Sequence, residues 1–302
     1  MEPSEKAFSS QANFHLAGII PVAGQPLEYG MPYPDCLLPI APDYTMIEAA
    51  IIEAAFAGCD TIWLCMHHET ARFVRQRIGD FVQDPVWIHR KHEAFPSEHK
   101  IRIPIYYVPI HPKDRDRRDC LSWSVIYGAL NAFKVSANIS KWLIPDKYFV
   151  SFPYGMYNPM VLREYRRKIS SAQNFYVTYK GMSPEDNLPI SFTFGKDEFV
   201  KFRREIRKGT GEFKNIVEPG KLAPTERLPL EERYSARWFD IKDVFMDLDL
   251  DTDNSVNIDE FYDLRSWEEY KNYLSSNLSN IIKRPKHMKY SEFHRIGLDI
   301  SQ

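Results

Sequence analysis

Hydrophobic positions in the first half of the chain fall into two patterns, short continuous apolar runs and longer stretches with helical spacing. Gly18–Val22 (GIIPV) is a continuous run and predicts a strand buried on both faces. A loop broken by Gly24, Pro26, Gly30, Pro32 and Pro34 follows, and then the short segment Leu37–Ile40 (LLPI). Met46–Ala57 (MIEAAIIEAAFA) carries apolar side chains at helical spacing, and Gly58 supplies its stop. Thr61–Met66 (TIWLCM) predicts a second buried strand. Glu69–Phe81 predicts an amphipathic helix, and Ile101–Ile110 a strand in which Pro104 and Pro109 indicate an edge or a kink.

The second half is more mixed. His111–Asp119 (HPKDRDRRD) reads as a charged loop, Cys120–Phe133 as a helix packed on the sheet, and Lys147–Phe152 as a strand. Met160–Ser170 and Asp197–Arg207 predict charged helices, and Asn174–Tyr179 with Ile190–Phe194 a hairpin. Gly209–Pro229 reads as a long surface loop, Tyr234–Leu248 as a helix, Glu260–Asp263 as a strand and Ser266–Ser275 as a closing amphipathic helix. Strands alternating with helices predict an α/β fold, a mainly parallel mixed sheet flanked by helices. The expected organisation is a flexible segment 1–14, one α/β domain over 15–275 and a C-terminal extension 276–302.

Composition narrows the function classes. The chain has 302 residues and a net charge of −2, which favours neither nucleic acid nor a membrane surface as partner. Four cysteines form no C-x-x-C pair, and Cys59 and Cys65 lie in apolar runs as buried thiols would. The N-terminus lacks an apolar signal region, and no apolar run approaches about 18 residues, so a soluble, cytoplasmic protein is expected. Aromatics make up 14%, which suits a well-filled core more than a stacking site. Nothing in the sequence sets the oligomeric state.

Several segments resemble the sugar nucleotidyltransferases, a family with a Rossmann-like GT-A fold. Pro34-Asp35-Cys36-Leu37-Leu38-Pro39-Ile40 is similar to the family's Pro-Lys-x-Leu-Leu-Pro-Ile, and Met46-Ile47-Glu48 to its Met-Ile-Glu helix start. Ala57-Gly58-Cys59-Asp60 is similar to its Ala-Gly turn, and Tyr262–Tyr270 to its closing strand and helix. The resemblance covers most of residues 15–275 and implies a GT-A fold and a nucleotide or nucleotide-sugar as partner. It implies a nucleotide lined by Gly24 and Gln25, a loop after the fourth strand that includes Tyr154, and a phosphate contact from the HPKDRDRR segment, of which Lys113 is the candidate. Asp263 is implied as the catalytic carboxylate and as ligand to Mg²⁺.

The departures are specific. The Gly-rich loop contains Pro26 and Glu28 where glycines and an arginine are expected. Proline offers no N–H to phosphate, and a carboxylate repels it. Asp35 replaces the family's lysine, and Phe152–Met156 holds no acid where the family has a metal-binding Asp. Nucleotidyl transfer needs carboxylates on Mg²⁺ and cations on phosphate. The alternative is therefore an inactive interaction scaffold of the same fold.

A second motif competes locally. Asp249, Asp251, Asp253, Ser255, Asn257 and Glu260 occupy the ligand positions of an EF-hand loop, which would bind Ca²⁺. That loop requires a helix after Glu260, whereas the transferase resemblance requires a strand there. His67-His68-Glu69 reads as a polar loop mouth, because adjacent side chains on a strand end point in opposite directions. The arginine and lysine faces at 163–168 and 203–208 read as solvated helix surfaces.

Overall fold

In a computed structural model, the chain is described at residues 14–24, 27, 29–86, 102–140, 143–211, 239–250 and 252–285. Strand β1 (Leu16–Pro21) is buried along its whole length. It lies between β4 (Thr61–Met66) and β7 (Lys147–Val150), parallel to both, with Ile19 opposite Trp63 and Val150. A strand flanked on both sides and both faces must be apolar throughout, which is why LAGIIP reads as an unbroken run.

From β1 the chain moves outward on one side. Parallel β4 pairs with β6 (Arg102–Pro109), whose first residues pair with the antiparallel edge strand β5 (Phe81–Gln83). It then returns to β7 on the other side of β1 and adds antiparallel β10 (Phe192–Phe194), β9 (Tyr176–Tyr179) and β11 (Ser255–Ile258). The eight-stranded order is β11-β9-β10-β7-β1-β4-β6-β5. This is the expected mainly parallel mixed sheet, and β9 and β10 form the expected antiparallel pair. Two small antiparallel pairs stand outside it: β2 (Pro39–Ala41) with β3 (Tyr44–Thr45), and β8 (Gly155–Met156) with β12 (Tyr262–Asp263).

The two faces hold separate cores. One is built on α1 (Met46–Ala57), in which every residue is buried, with Val74 and Ile78 of α2 (His68–Ile78) beside it. A helix buried all round is apolar all round. Its start is set by Thr45 and Glu48, whose carboxylate accepts from the Thr45 backbone N–H at 2.9 Å. Its end is Gly58, left-handed at φ 93°. Arg166 on α5 (Leu162–Ile169) donates to the terminal carbonyls of Ala55 and Phe56 and pairs with Asp84 at 2.9 Å, tying that end down. The opposite face carries α4 (Leu121–Ile139) and α6 (Lys196–Gly211) over Ile19, Cys65 and a ring cluster of Phe192, Phe194, Phe202 and Phe245. These four rings belong to the core. All four cysteines are buried and free.

Gly128 on α4 sets how closely that helix approaches the sheet. A Cβ there would lie 2.5 Å from Cys65 Sγ and 2.8 Å from Ile19 Cγ2. Both are core side chains without room to swing. Gly128→Ala is expected to cost about 2 kcal/mol through overpacking, read as a lower urea midpoint at unchanged slope.

Three sequence expectations are corrected. The charged segment after β6 is not a loop but helix α3 (Pro112–Arg118), begun by Pro112 and closed by an Arg118–Asp114 pair at 2.8 Å. The helix expected over 234–248 is the short α7 (Ile241–Phe245), capped by Asp240, and residues 234–238 lie outside the described residues. The strand β11 arises inside the acidic run, where no strand was expected. Beyond α8 (Trp267–Leu274), a further helix α9 (Asn277–Ile281) adds Leu278 to the first core. Among the described residues, no helix is long and apolar enough to cross a membrane.

Candidate functional site

The order in which strands are laid down puts a reversal point beside β1, the position at which open α/β sheets form a ligand crevice. The chain runs outward from β1 to β4 and β6, then reverses to β7 on the other side. Connections leaving the C-terminal ends of β1 and β7 therefore diverge, and ligands of open α/β sheets bind in such a crevice.

The wall from β1 is pinned at its start. Val22 and Ala23 both donate backbone N–H to Cys65 O, at 2.8 and 2.9 Å. Ser124 on α4 donates its hydroxyl to Ala23 O at 2.6 Å. Gly24 packs on the first turn of α4, where a Cβ would meet Leu121 N at 3.2 Å. Gln25 lies outside the described residues.

The wall from β7 is buried Tyr154, whose hydroxyl donates to Val22 O at 3.4 Å across the crevice. Burial holds that phenol well above its ordinary pKa. Tyr154 O accepts from Leu264 N at 2.6 Å, and Gly155 pairs with Asp263. Tyr29, from the β1 loop, donates its hydroxyl to Leu264 O and packs edge-on against Trp267 at 5.7 Å. The structure thus links the β1 loop, Tyr154 and the Asp263 strand through direct hydrogen bonds. Tyr29 was not singled out by the sequence.

Lys113 does not join them. It sits exposed on α3, its backbone N–H bonded to His111 Nδ1 at 3.2 Å. The guanidiniums around it are engaged with carboxylates, Arg115 with Glu69 at 2.6 Å and Arg118 with Asp114 at 2.8 Å. Asp35 opens a single 3₁₀ turn, Asp35–Leu37, and accepts from the Leu27 backbone. Burial raises its pKa, and its charge is felt by Tyr154. An acid rather than a cation therefore stands near this wall.

Asp263 is not placed as a metal ligand. Arg265 Nε donates to its Oδ1 at 2.8 Å and its Oδ2 at 3.0 Å, Nη2 donates to Oδ2 at 2.5 Å, and the Arg265 backbone N–H reaches Oδ1 at 3.2 Å. A carboxylate gripped in this fork has little lone-pair capacity left for a divalent ion. The adjoining loop Phe152–Met156 supplies no second acid. Among the described residues no group of three or more His, Cys, Asp or Glu side chains is arranged to hold a metal. Among the described residues, the side chains at this position do not fit Mg²⁺.

The EF-hand reading is also corrected. Thr252–Asn254 is a 3₁₀ turn, Ser255 and Asn257 belong to strand β11 paired in register with β9, and strand β12 follows Glu260 in place of a helix. Asn257 faces Thr178 at 3.3 Å, and Glu260 accepts from Tyr262 at 3.2 Å. Asp249 precedes the turn, where its carbonyl accepts from Asn174 at 3.3 Å, while Asp253 presents its own carbonyl to Lys168 at 2.9 Å. Asn254, standing where the motif wants glycine, buries its amide and donates to the carbonyls of Gln173 and Asn174 at 3.1 and 2.9 Å. Asp251 lies outside the described residues. The backbone of this segment is used in a 3₁₀ turn and in strand pairing with β9, so the loop and following helix that an EF-hand requires are not formed.

One pair was missed entirely. His67, at the C-terminal end of β4, meets Asp119 at 3.0 Å from just before α4. They are separated by 52 residues, so no local spacing signals them.

The fold is that of the sugar nucleotidyltransferases, a GT-A, Rossmann-like sheet with a closing small pair. Among solved structures, the chain is similar to one from Bacillus anthracis assigned as a glucose-1-phosphate thymidylyltransferase in complex with a sucrose, at 12% identity and a TM-score of 0.52, covering 90% of this chain and 98% of that one. It also aligns with a nucleoside-diphosphate-sugar pyrophosphorylase from Vibrio cholerae RC9 (14% identity, TM-score 0.45, 86% and 100% covered). A UDP-glucose pyrophosphorylase complexed with UDP-glucose aligns similarly (12%, 0.48, 86% and 97%). Identity at this level carries the fold and not the activity. No protein-family model matches the sequence, and no curated protein matches it.

Proposed function

We propose that the crevice between the ends of β1 and β7 binds a nucleotide or a nucleotide-sugar. The observation that supports this reading is the convergence of the Val22–Gly24 loop, Tyr154 and the Asp263 strand at the reversal point of the sheet. In this reading Gly24 and Tyr154 line the ligand. Metal-assisted transfer is not part of the proposal, because the carboxylate implied for Mg²⁺ is bound to Arg265 and Asp35 stands where a phosphate-neutralising lysine is implied. The chain then acts as a binding protein built on a transferase fold.

The test is thermal unfolding of the full chain against UDP-glucose, other nucleotide-sugars and the nucleoside triphosphates. A true ligand at ten times its Kd stabilises by about 1.4 kcal/mol, a rise in Tm of a few degrees. A panel in which no nucleotide or nucleotide-sugar moves the Tm would reject the proposal.

A further inference from the structure

We infer that Arg265 is the resident cation of the crevice, so that the anionic part of the ligand is met by this guanidinium in place of a divalent metal. The inference rests on the crevice being the ligand site. Its geometry is independent of that reading. Asp263 is fixed opposite Gly155 by β12–β8 pairing, and Leu264 is tied to Tyr154 and Tyr29 on either side. The Asp263 carboxylate is the one acidic side chain the strand carries into this region, and its whole coordination is taken by Arg265. Arg265 Nη2 is further held by Asn187 O at 2.9 Å. Asn187 is itself fixed in a left-handed turn (φ 69°), and its side chain accepts from Ile241 N at 2.9 Å. The guanidinium is therefore oriented before any ligand arrives. Its Nη1 has no partner among the described residues, and the side chain is 26% exposed.

Charge explains the consequence. Asp263 with a divalent ion would leave a surplus positive charge for a phosphate, whereas Asp263 with Arg265 is neutral as a pair. Such a pair recognises a phosphate by directed hydrogen bonds rather than by net charge. Binding of this kind needs no added metal and falls off modestly with salt.

Two measurements on the full chain decide it. Free Mn²⁺, followed by its EPR signal, is expected to be undiminished by the wild-type protein. UDP-glucose titrated calorimetrically is expected to bind with the same affinity, within about twofold, in EDTA and in Mg²⁺. Arg265→Gln is expected to weaken that binding at least about tenfold, and Arg265→Lys by less. Mn²⁺ uptake that Asp263→Asn abolishes, or a tenfold gain in affinity from Mg²⁺, would overturn the inference. If no member of the nucleotide panel binds, the functional reading fails by itself. The Mn²⁺ measurement on the wild type and on Asp263→Asn still decides whether Arg265 excludes a metal.

Discussion

Gly155→Ala is expected to destabilise the protein by on the order of 4 kcal/mol, with a Tm lower by roughly 10 °C. A Cβ on Gly155 would fall 1.8 Å from the carbonyl oxygen of Pro189 and 3.0 Å from its carbonyl carbon. These are backbone atoms, so no rotamer relieves the clash. Pro189 cannot retreat freely either, since Ser191, two residues on, accepts from Val177 N at 2.9 Å in the sheet. Strand β8 must move instead, and β8 is what holds Asp263 in place. The same substitution should therefore remove the Tm shift given by any crevice ligand. Gly195→Ala is the control, because its Cβ would meet only the carboxylate of Glu198, at 3.2 Å, which can swing away. Urea unfolding checks both. A Gly155→Ala loss below about 1 kcal/mol would mean that the Pro189 segment is soft and that β8 is not rigidly placed.

The central layer was legible because its signals are local or cumulative. Burial on both faces writes itself into β1, β4 and α1 as apolar residues, and the Thr45–Glu48 cap and Gly58 mark the helix ends within a few residues. The failures share a physical cause, which is that long-range partners decide them. Residues 255–258 lie within an acidic run but become a strand because β9 offers its open edge, in register from Ser255 opposite Tyr176. Segment 112–118 looks like a solvated loop by charge, yet Pro112 at its start and the Asp114–Arg118 pair suffice for two turns of helix.

The candidate site was legible as positions and not as chemistry. Sequence resemblance brings Gly24, Tyr154 and Asp263 forward, and the fold joins their strands at the reversal of the sheet. Arg265 stands two residues from Asp263 and was in view throughout, but adjacency in sequence says nothing about which way a strand-end carboxylate is turned. Lys113 is a different case, exposed on α3 with its backbone N–H bonded to His111. It lies in a strongly basic stretch, and the helix that stretch forms satisfies its arginines with neighbouring acids.

A buried acid on α1 makes the last large effect one of pH. Glu53 is 4% exposed, and its Oε1 accepts from Tyr157 at 2.7 Å and from the Ser191 hydroxyl. Burial pushes its pKa from 4.5 up to about 7, although hydrogen bonds from Ser191, Tyr157 and Ser151 pull the other way. In the unfolded chain the same carboxyl ionises near its ordinary value. A raised folded pKa means that the native state holds its proton more tightly than the unfolded state does. The stabilisation is thus complete below about pH 4.5 and is lost as pH rises through 7, a decline of about 3 kcal/mol across that window. Glu53→Gln keeps an oxygen for Tyr157 and Ser191 and cannot ionise. It should match the wild type near pH 4.5 and exceed it by up to about 3 kcal/mol near pH 8, less any misfit of the amide group. Urea unfolding of both proteins at these two pH values gives the comparison. The difference between the proteins carries the test, since every other titrating group is common to both. An equal gap at the two pH values would show that Glu53 titrates alike in folded and unfolded chains. Cost at neutral pH then has a structural meaning. The helix that builds the first core carries an ionisable group facing Tyr157, in the same loop as the crevice wall, and folding tolerates it at the expense of stability above pH 7.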